Sequence, residues 1–366
     1  MNAMFPTGFT APTALYLSLF AVTLVVHAVF MHYVLAGSTY LAFGRLMGPR
    51  RCAVCGWQSI LVDWLPFATG LAITAGVAPL LFVQILHGRE FSTANLLLSH
   101  RWMAILPVLI VCFYLLYLQK SAWLARRRWV WRTVVASLAC SGFIFIAWSW
   151  TENHLLMLDR DAWAPLYESG ALRYASPGVL PRLALWFFSA FPTLAIELVW
   201  QGRLLGLDVT RPPAAAEVVL GLSPVRRLAL AALSGVAGMT AAGGLYGQTL
   251  AAVDREALLG PLGGPWLTVA ITGLVVQSGT WVAAAFCNRM SHGLGVVTTV
   301  GWLATLCGLV AARESIRLVH IDIATLAERH ATAASISGFP VFLTCAALTV
   351  IAIVWCVVAV RAGLVR

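Results

Sequence analysis

Uninterrupted apolar runs of about 20 residues recur from one end of the chain to the other, and they decide its fold class. A helix of that length is about 30 Å long, which matches the hydrocarbon thickness of a bilayer. A β-barrel would need apolar and polar residues to alternate with period two, and these runs do not alternate. Hydrophobic residues make up 60% of the 366 residues and charged residues only 10%, whereas a soluble domain carries about a quarter. The sequence therefore predicts an all-α polytopic integral membrane protein.

We predict about nine transmembrane helices in a single transmembrane domain over residues 1–366, because no soluble domain of any size fits between the apolar runs. The first run is longer than the apolar part of a signal peptide and no basic leader precedes it, so we interpret it as a retained span. The predicted spans cover residues 14–43, 60–88, 102–119, 134–150, 183–200, 228–250, 266–287, 294–312 and 339–360.

Arginine distribution sets the predicted orientation. The loops after spans one, three and five are rich in arginine and carry few acids, whereas the opposite loops mix arginine with aspartate and glutamate. The positive-inside rule then places the N-terminus outside and the C-terminus inside a bacterial inner membrane. The formal charge of +10 is thus mainly a topology signal. It does not indicate nucleic acid as a partner, since the basic residues are not gathered on one soluble face.

Histidine placement is the most informative functional feature. His27 and His32 fall within the first span, whereas five other histidines fall at or beyond span ends on the predicted outer side. Ionisable groups in hydrocarbon usually mark a cofactor, an ion path or a bound partner, and neutral imidazole is the usual protein ligand of haem iron. The pattern therefore favours membrane electron transfer. The five outer histidines are His87, His100, His154, His320 and His330.

Three histidines are the candidate ligands of haem iron. His27 lies well inside the first span, with Met31 one turn later on the same helix face as a second candidate cofactor contact. The alternative for His27 is a structural histidine that donates to a carbonyl of a neighbouring helix. His87 ends span two and His154 follows span four, so a haem in the outer half would bring their imidazoles together. Each of these two could instead face water.

Three further features are candidates for function. Glu197, in span five, is the deepest carboxyl group and the candidate catalytic residue, as a proton carrier or an arginine partner. Gly243 and Gly247 have the GxxxG spacing that is typical of close helix packing. Cys52 and Cys55 form a CxxC motif on the predicted inner side, where a disulfide is not expected. The motif offers half of the usual zinc ligand set.

The residues around His27 carry a family resemblance. Nine spans, an outside N-terminus and the helix ALYLSLFAVTLVVHAVF resemble subunit I of the cytochrome bd-type quinol oxidases. The stretch TGLAITAGVAPLLFVQILHGREF (residues 69–91) is similar to the end of the second span in that family. The resemblance implies that His27 ligates a haem b. The chain departs from the family because span three has no glutamate and no long hydrophilic loop follows span six, which implies a shortened relative with a role other than oxygen reduction.

The predicted function is a membrane subunit of a respiratory-type electron-transfer complex. It would exchange electrons with quinol or quinone near the outer face, hold haem b, and contact membrane lipid and other membrane or periplasmic cytochrome subunits. The alternative is a non-redox scaffold or anchor of a larger assembly. A transporter is third, and it would need helices broken near the midplane. The candidate positions for such breaks are Pro66, Pro79, Pro107 and Pro192.

Overall fold

The structure, a computed structural model, describes residues 9–46, 56–205, 223–320 and 325–330, together with scattered positions between 340 and 358. Regular structure in these ranges is helical, without a strand, so the predicted all-α class is confirmed for them. The helices are α1 (Ala11–Leu46), α2 (Gly56–Met103), α3 (Ile105–Lys120), α4 (Ala122–Ala125), α5 (Trp129–Leu156), α6 (Trp163–Ser169), α7 (Val179–Leu204), α8 (Pro224–Thr249), α9 (Ala252–Leu259), α10 (Gly264–Cys287) and α11 (His292–Leu318).

Seven helical stretches among the described residues are long and apolar enough to cross a membrane, which makes the chain a multi-pass membrane protein. One stretch, Trp57–Lys120, has 64 residues and is roughly three times as long as a bilayer core is thick. Its backbone leaves the helical region at His87 and Ser99, so it is not one straight rod. Much of predicted span nine, residues 339–360, lies outside the described residues.

Three of the four candidate prolines do not break the helices, whereas Pro107 lies in the first turn of α3, just after the boundary at Ala104. Pro66 and Pro79 lie inside α2 and Pro192 lies inside α7, all with helical backbone on either side. The departures from helical geometry in α2 fall instead at His87 and Ser99. The helix breaks that a transporter would need are therefore not at these three prolines.

The segment between predicted spans two and three is helical, which corrects the expected loop. Phe91, Ala94 and Leu98 recur on one face of this segment and are at most 2% exposed. Ala94 and Leu98 pack into a hydrophobic cluster with Leu156, at the end of α5. An apolar stripe at helical spacing is stable as a helix once a neighbouring element covers it, so this short amphipathic stretch folds against the end of α5 rather than forming a loop.

The chain divides into two compact units, residues 20–320 and residues 1–19 with 321–366. In the smaller unit, the Nδ1 atom of His330 lies 2.9 Å from the Thr13 hydroxyl oxygen. The Tyr16 ring packs against the same imidazole with its centroid 4.9 Å away. His330 is thus a buried packing residue, although sequence placed it in an outer loop.

Close approach between α7 and α8 occurs at Gly235 and not at the predicted Gly243 and Gly247 pair. A Cβ atom at Gly235 would lie 2.8 Å from the carbonyl oxygen of Phe188. A Cβ at Gly243 would meet only Leu185, at an ordinary 3.6 Å, and one at Gly247 would meet nothing within 4 Å. The GxxxG spacing marks a smooth face, but the neighbouring helix packs on another part of α8.

We predict that Gly235→Ala lowers the free energy of unfolding by about 1–3 kcal/mol, because the added methyl group forces the backbones of α7 and α8 apart. Gly247→Ala, the matched control in the same helix, should leave stability unchanged or raise it by up to about 1 kcal/mol through helix propensity. Denaturant unfolding in mixed micelles measures both. Equal losses for the two variants would contradict this packing.

Candidate functional site

Charged side chains from three helices converge at one end of the larger unit, where α2 breaks at His87, α5 reaches His154 and α11 ends. Glu314 is their centre: its Oε1 atom lies 3.0 Å from an Arg317 terminal nitrogen and 3.5 Å from an Arg313 terminal nitrogen. Its Oε2 atom lies 3.8 Å from Nε2 of His87. We call these five residues (His87, His154, Arg313, Glu314 and Arg317) the charge cluster, and this end of the unit the histidine end.

Arg317 is the most deeply buried member of the charge cluster, with 0% of its surface exposed. Its second terminal nitrogen donates to the Met157 sulfur at 3.6 Å, and its guanidinium lies 5.3 Å from the centroid of the Phe20 ring. Glu314 and Arg317 are three residues apart on one face of the last turns of α11, where cations also favour the helix dipole. Local helix geometry thus builds the pair, and tertiary packing buries it.

The two predicted outer histidines both contact the charges of α11. A terminal nitrogen of Arg313 lies 3.2 Å from Nδ1 of His154. A guanidinium can only donate, so Nδ1 accepts and the His154 proton resides on Nε2. Nε2 of His87 is buried and makes no hydrogen bond with the described residues. His87 and His154 therefore lie near one another, as expected, but charged groups occupy the positions that a shared haem iron would need.

His27 has the arrangement that fits a single haem ligand. Its Nδ1 atom lies 3.0 Å from the carbonyl oxygen of Ala72. A carbonyl only accepts, so Nδ1 carries the proton and Nε2 keeps its lone pair, which is the usual state of a metal-ligating histidine. The imidazole lies against bare backbone, since a Cβ atom at Gly76 would be 2.9 Å from its Cε1 atom. The same hydrogen bond is also what a purely structural His27 requires. Met31, one turn later, is half-buried.

His32 is a structural cross-link between three helices. It is 0% exposed, with Nδ1 3.0 Å from the Thr193 hydroxyl and Nε2 3.2 Å from the Ser189 hydroxyl. Thr193 also donates to the Ser189 carbonyl oxygen at 3.1 Å and accepts from the Trp302 indole at 2.9 Å. The Ser189 hydroxyl likewise donates to the Trp186 carbonyl oxygen at 2.8 Å. Each ring nitrogen of His32 therefore lies within hydrogen-bond distance of a hydroxyl oxygen inside the protein, so neither faces an open metal position.

Glu197 contacts no arginine among the described residues, although an arginine partner was one of its two expected roles. Its Oε2 atom is buried without a hydrogen bond there. It interacts electrostatically with Tyr33, whose hydroxyl donates to Gln201 at 3.0 Å. A buried carboxyl group with no counter-ion is typical of proton-carrying positions. Glu197 thus remains the candidate proton carrier.

A cavity of about 350 Å³ opens beside the histidine end. Trp148 and Glu152 of α5 form one wall, and the segment from Arg173 to Leu180 forms the other. We call it the Trp148 cavity. Its lining combines an indole, a carboxylate and apolar side chains, which is the usual composition of a small-molecule site.

Glu152 is the chemically distinctive residue of this cavity. Only 1% of its surface is exposed, and both carboxylate oxygens are buried without a hydrogen bond from the described residues. Ion pairs hold it instead: Nε of Arg101 lies 2.9 Å from one oxygen and Nε of Arg173 lies 3.9 Å from the other. Both guanidinium groups also stack over the Trp148 ring, at 5.7 and 5.1 Å from its centroid. Arg101 and Arg173 thus balance the charge of a Glu152 carboxylate whose two oxygens are shielded from solvent.

Tyr174 is the second polar group of the cavity wall. Its hydroxyl donates to the Asp159 carboxylate at 2.6 Å. Burial and the neighbouring Asp159 both raise the pKa of Tyr174 above its usual range, because each disfavours the phenolate. Tyr174 therefore stays a neutral phenol, and Glu152 is the basic group of the cavity.

Sequence reasoning missed Glu152, Arg101 and Trp148. Single charged and aromatic residues near the ends of apolar spans are ordinary, so they carry little signal by themselves. The available signal was the stretch WSWTENH, which places Glu152 two residues before His154 at the end of an apolar span. The remaining outer histidines make local contacts: His100 with Ser99 at 2.9 Å and His320 with Asp254 at 2.6 Å. Cys52 and Cys55 lie outside the described residues.

Comparison with known proteins gives no match: no protein-family model, no curated protein and no solved structure matches this chain. The resemblance to the quinol oxidases thus remains an expectation from sequence. Function has to be argued from the charge cluster, the Trp148 cavity and His27.

We predict that Arg317→Met lowers the free energy of unfolding by about 3–5 kcal/mol, because it leaves the Glu314 carboxylate buried with a weakened counter-charge. Arg160→Met, at a half-exposed ion pair with Glu90, is the matched control and should cost about 0–1 kcal/mol. Denaturant unfolding of both variants tests the difference. The Glu314→Gln/Arg317→Met double variant should lose less stability than the sum of the two single variants, and additive losses would contradict the pairing.

Proposed function

We propose that this chain is a membrane subunit of a respiratory-type electron-transfer complex that exchanges electrons with quinol in the Trp148 cavity. The observation that carries the proposal is the make-up of this cavity, where an indole and apolar walls surround a buried carboxylate. A quinol head group is a flat ring with two hydroxyl groups, so it needs an apolar or aromatic face and a proton acceptor. A volume of about 350 Å³ suits the ring, with the isoprenoid tail outside.

Each wall of the cavity has a role in this proposal. Trp148 packs against the quinol ring, and Glu152 accepts a proton from a ring hydroxyl. Arg101 and Arg173 keep the Glu152 carboxylate charged and oriented through the ion pairs at 2.9 and 3.9 Å. Oxidation of quinol to quinone releases two electrons and two protons, and Glu152 accepts the two protons in turn. The Arg173 side chain, 62% exposed, borders the path by which each proton leaves Glu152 for solvent.

Haem b is the proposed electron acceptor, held by His27 or by a partner cytochrome subunit. When bound, haem supplies a centre that takes up one electron at a time. On the side of this chain, Ala72 fixes the His27 tautomer and Gly76 leaves room for the ring. Glu197 is the proposed proton carrier elsewhere in the spans. His87 and His154 are assigned to the charge cluster in preference to a shared haem.

The proposed topology has nine crossings, with the N-terminus outside a bacterial inner membrane. Seven apolar stretches support the multi-pass architecture. The Trp57–Lys120 stretch counts as two crossings because the backbone departs from a helix at His87 and Ser99, and predicted span nine supplies the last. The histidine end then lies at the outer face.

A non-redox scaffold or anchor subunit is the second candidate function. The observation that favours it is His32, because a buried histidine with both nitrogens satisfied inside the chain serves packing alone. A purified preparation that retains its partners and shows no haem band would favour this second candidate. Substrate uptake by the chain alone in vesicles would instead favour a transporter.

We predict that Glu152→Gln slows quinol-driven reduction of the complex at least tenfold, because the variant cannot accept the quinol proton. Binding of a short-tail benzoquinone, measured by calorimetry in nanodiscs, should change by no more than about threefold, since the ring contacts remain. Glu90→Gln, at an exposed ion pair of the same end, is the matched control and should leave both unchanged. Parallel loss of binding and rate in Glu152→Gln would indicate a structural role for Glu152.

We predict that His27→Ala removes one haem component from the visible spectrum while the chain still inserts into the membrane. The physical reason is loss of the His27 Nε2 lone pair, which is available to iron because Nδ1 donates to the Ala72 carbonyl. His292→Ala, at the exposed start of α11, is the control and should keep the full spectrum. An unchanged spectrum in His27→Ala, with only about 1 kcal/mol lost from stability, would assign His27 to the Ala72 hydrogen bond alone.

A further inference from the structure

The histidine end contains more buried positive charge than the described residues balance. Arg182, in the first turn of α7, is only 4% exposed and stacks on the Tyr246 ring at 4.9 Å from its centroid. No carboxylate among the described residues forms an ion pair with it. Tyr246 in turn packs in one hydrophobic cluster with Ile316, the residue that precedes Arg317 in α11. Arg182 thus lies next to the charge cluster, and it interacts electrostatically with Arg313 and His154.

One carboxylate thus faces three guanidinium groups. Glu314 forms ion pairs with Arg317 and Arg313. When Arg182 is counted with them, three guanidinium groups share one carboxylate, so two positive charges have no anion among the described residues. Burying an unpaired charge costs several kcal/mol, and the cost is larger where water is excluded. An arrangement of this kind is stable when a bound anion completes it.

A second observation points to a ligand independently of the charge count. Nε2 of His87 and Nε of Arg317 are fully buried and make no hydrogen bond with the described residues. The proton of His154 lies on Nε2, because Nδ1 accepts from Arg313. The site is therefore rich in donors and has a single carboxylate as acceptor.

We propose that Arg182, Arg313, Arg317 and His154 form a binding site for a phosphate group, either free phosphate or the head group of an anionic phospholipid. Free phosphate carries about two negative charges on one small centre, cardiolipin carries one on each of its two phosphodiester groups, and both accept forked hydrogen bonds from guanidinium groups. A single carboxylate would leave one cation unbalanced.

The burial of the site also selects a small group. Arg182 and Arg317 are at most 4% exposed, so a side chain of another subunit would have to displace the helices to reach them. Basic pockets between transmembrane helices near the head-group level are typical of sites for anionic lipids. The proposal does not depend on quinol oxidation or on haem, and its test uses neither.

The test starts from the full chain purified in phosphate-free buffer. Thermal unfolding is followed as inorganic phosphate replaces chloride at constant ionic strength, and lipids retained from cardiolipin-containing nanodiscs are identified by native mass spectrometry. A ligand of the folded state raises the unfolding temperature by mass action. We expect the chain either to be stabilised by phosphate or to retain cardiolipin. Stabilisation by phosphate identifies free phosphate as the ligand. Retention of cardiolipin without stabilisation by phosphate identifies a lipid head group as the ligand.

Variants separate this site from general attraction of anions. Arg182→Gln should weaken phosphate binding at least tenfold. Arg182→Lys should recover part of that loss, because lysine keeps the positive charge but cannot donate two parallel hydrogen bonds. Glu314→Gln should strengthen binding, since it removes the competing carboxylate. Arg160→Gln, at the half-exposed pair with Glu90, is the matched control and should bind like the wild type.

Several outcomes would overturn the proposal. One is a wild-type chain that neither gains stability from phosphate nor retains cardiolipin. Another is equal weakening by Arg160→Gln and Arg182→Gln. A third is unchanged phosphate binding and cardiolipin retention in a folded Arg182→Gln variant. If Arg182→Gln fails to fold, weaker binding in Glu314→Gln still contradicts the site.

Discussion

The buried carboxylate of Glu314 joins helices that are far apart in the sequence. It lies within ion-pair distance of Arg317, Arg313 and His87, and through Arg313 it reaches His154 on α5. In a medium of low dielectric constant, charges of this kind stabilise a fold only when each has a partner. The positions of α2, α5 and α11 at the histidine end therefore depend on one another, and the break of α2 at His87 belongs to the same arrangement.

Three histidines show how surroundings decide the role of one side-chain type. His32 uses both ring nitrogens inside the protein and joins three helices. Nδ1 of His154 accepts a hydrogen bond from Arg313, so the imidazole proton is on Nε2. His27 donates to a backbone carbonyl and keeps a lone pair. Of these, His27 alone has the electronic state of a ligand, which is why the proposed haem site is placed there.

The Trp148 cavity and the charge cluster are two residues apart on α5, since Glu152 belongs to the first and His154 to the second. Asn153 between them donates to Asn95 at 2.6 Å and fixes the amphipathic end of α2 against α5. The proposed quinol site and the proposed phosphate site are thus parts of one polar end. A group bound at the arginines would stabilise the helix that presents Glu152.

The sequence by itself determined the all-α membrane class, most helix positions and the functional interest of His27, His87 and His154. Apolar runs of membrane length and the cost of ionisable groups in hydrocarbon are local properties, so they can be recognised from the sequence without knowledge of which helices pack together. Only the tertiary structure decided that Gly235 rather than Gly247 meets a neighbouring helix, that residues 89–101 fold as a helix, and that Glu152, Arg182 and Arg317 are buried. The physical reason is that the face of a helix that becomes buried, and the partner that neutralises its charge, depend on which other helices pack against it.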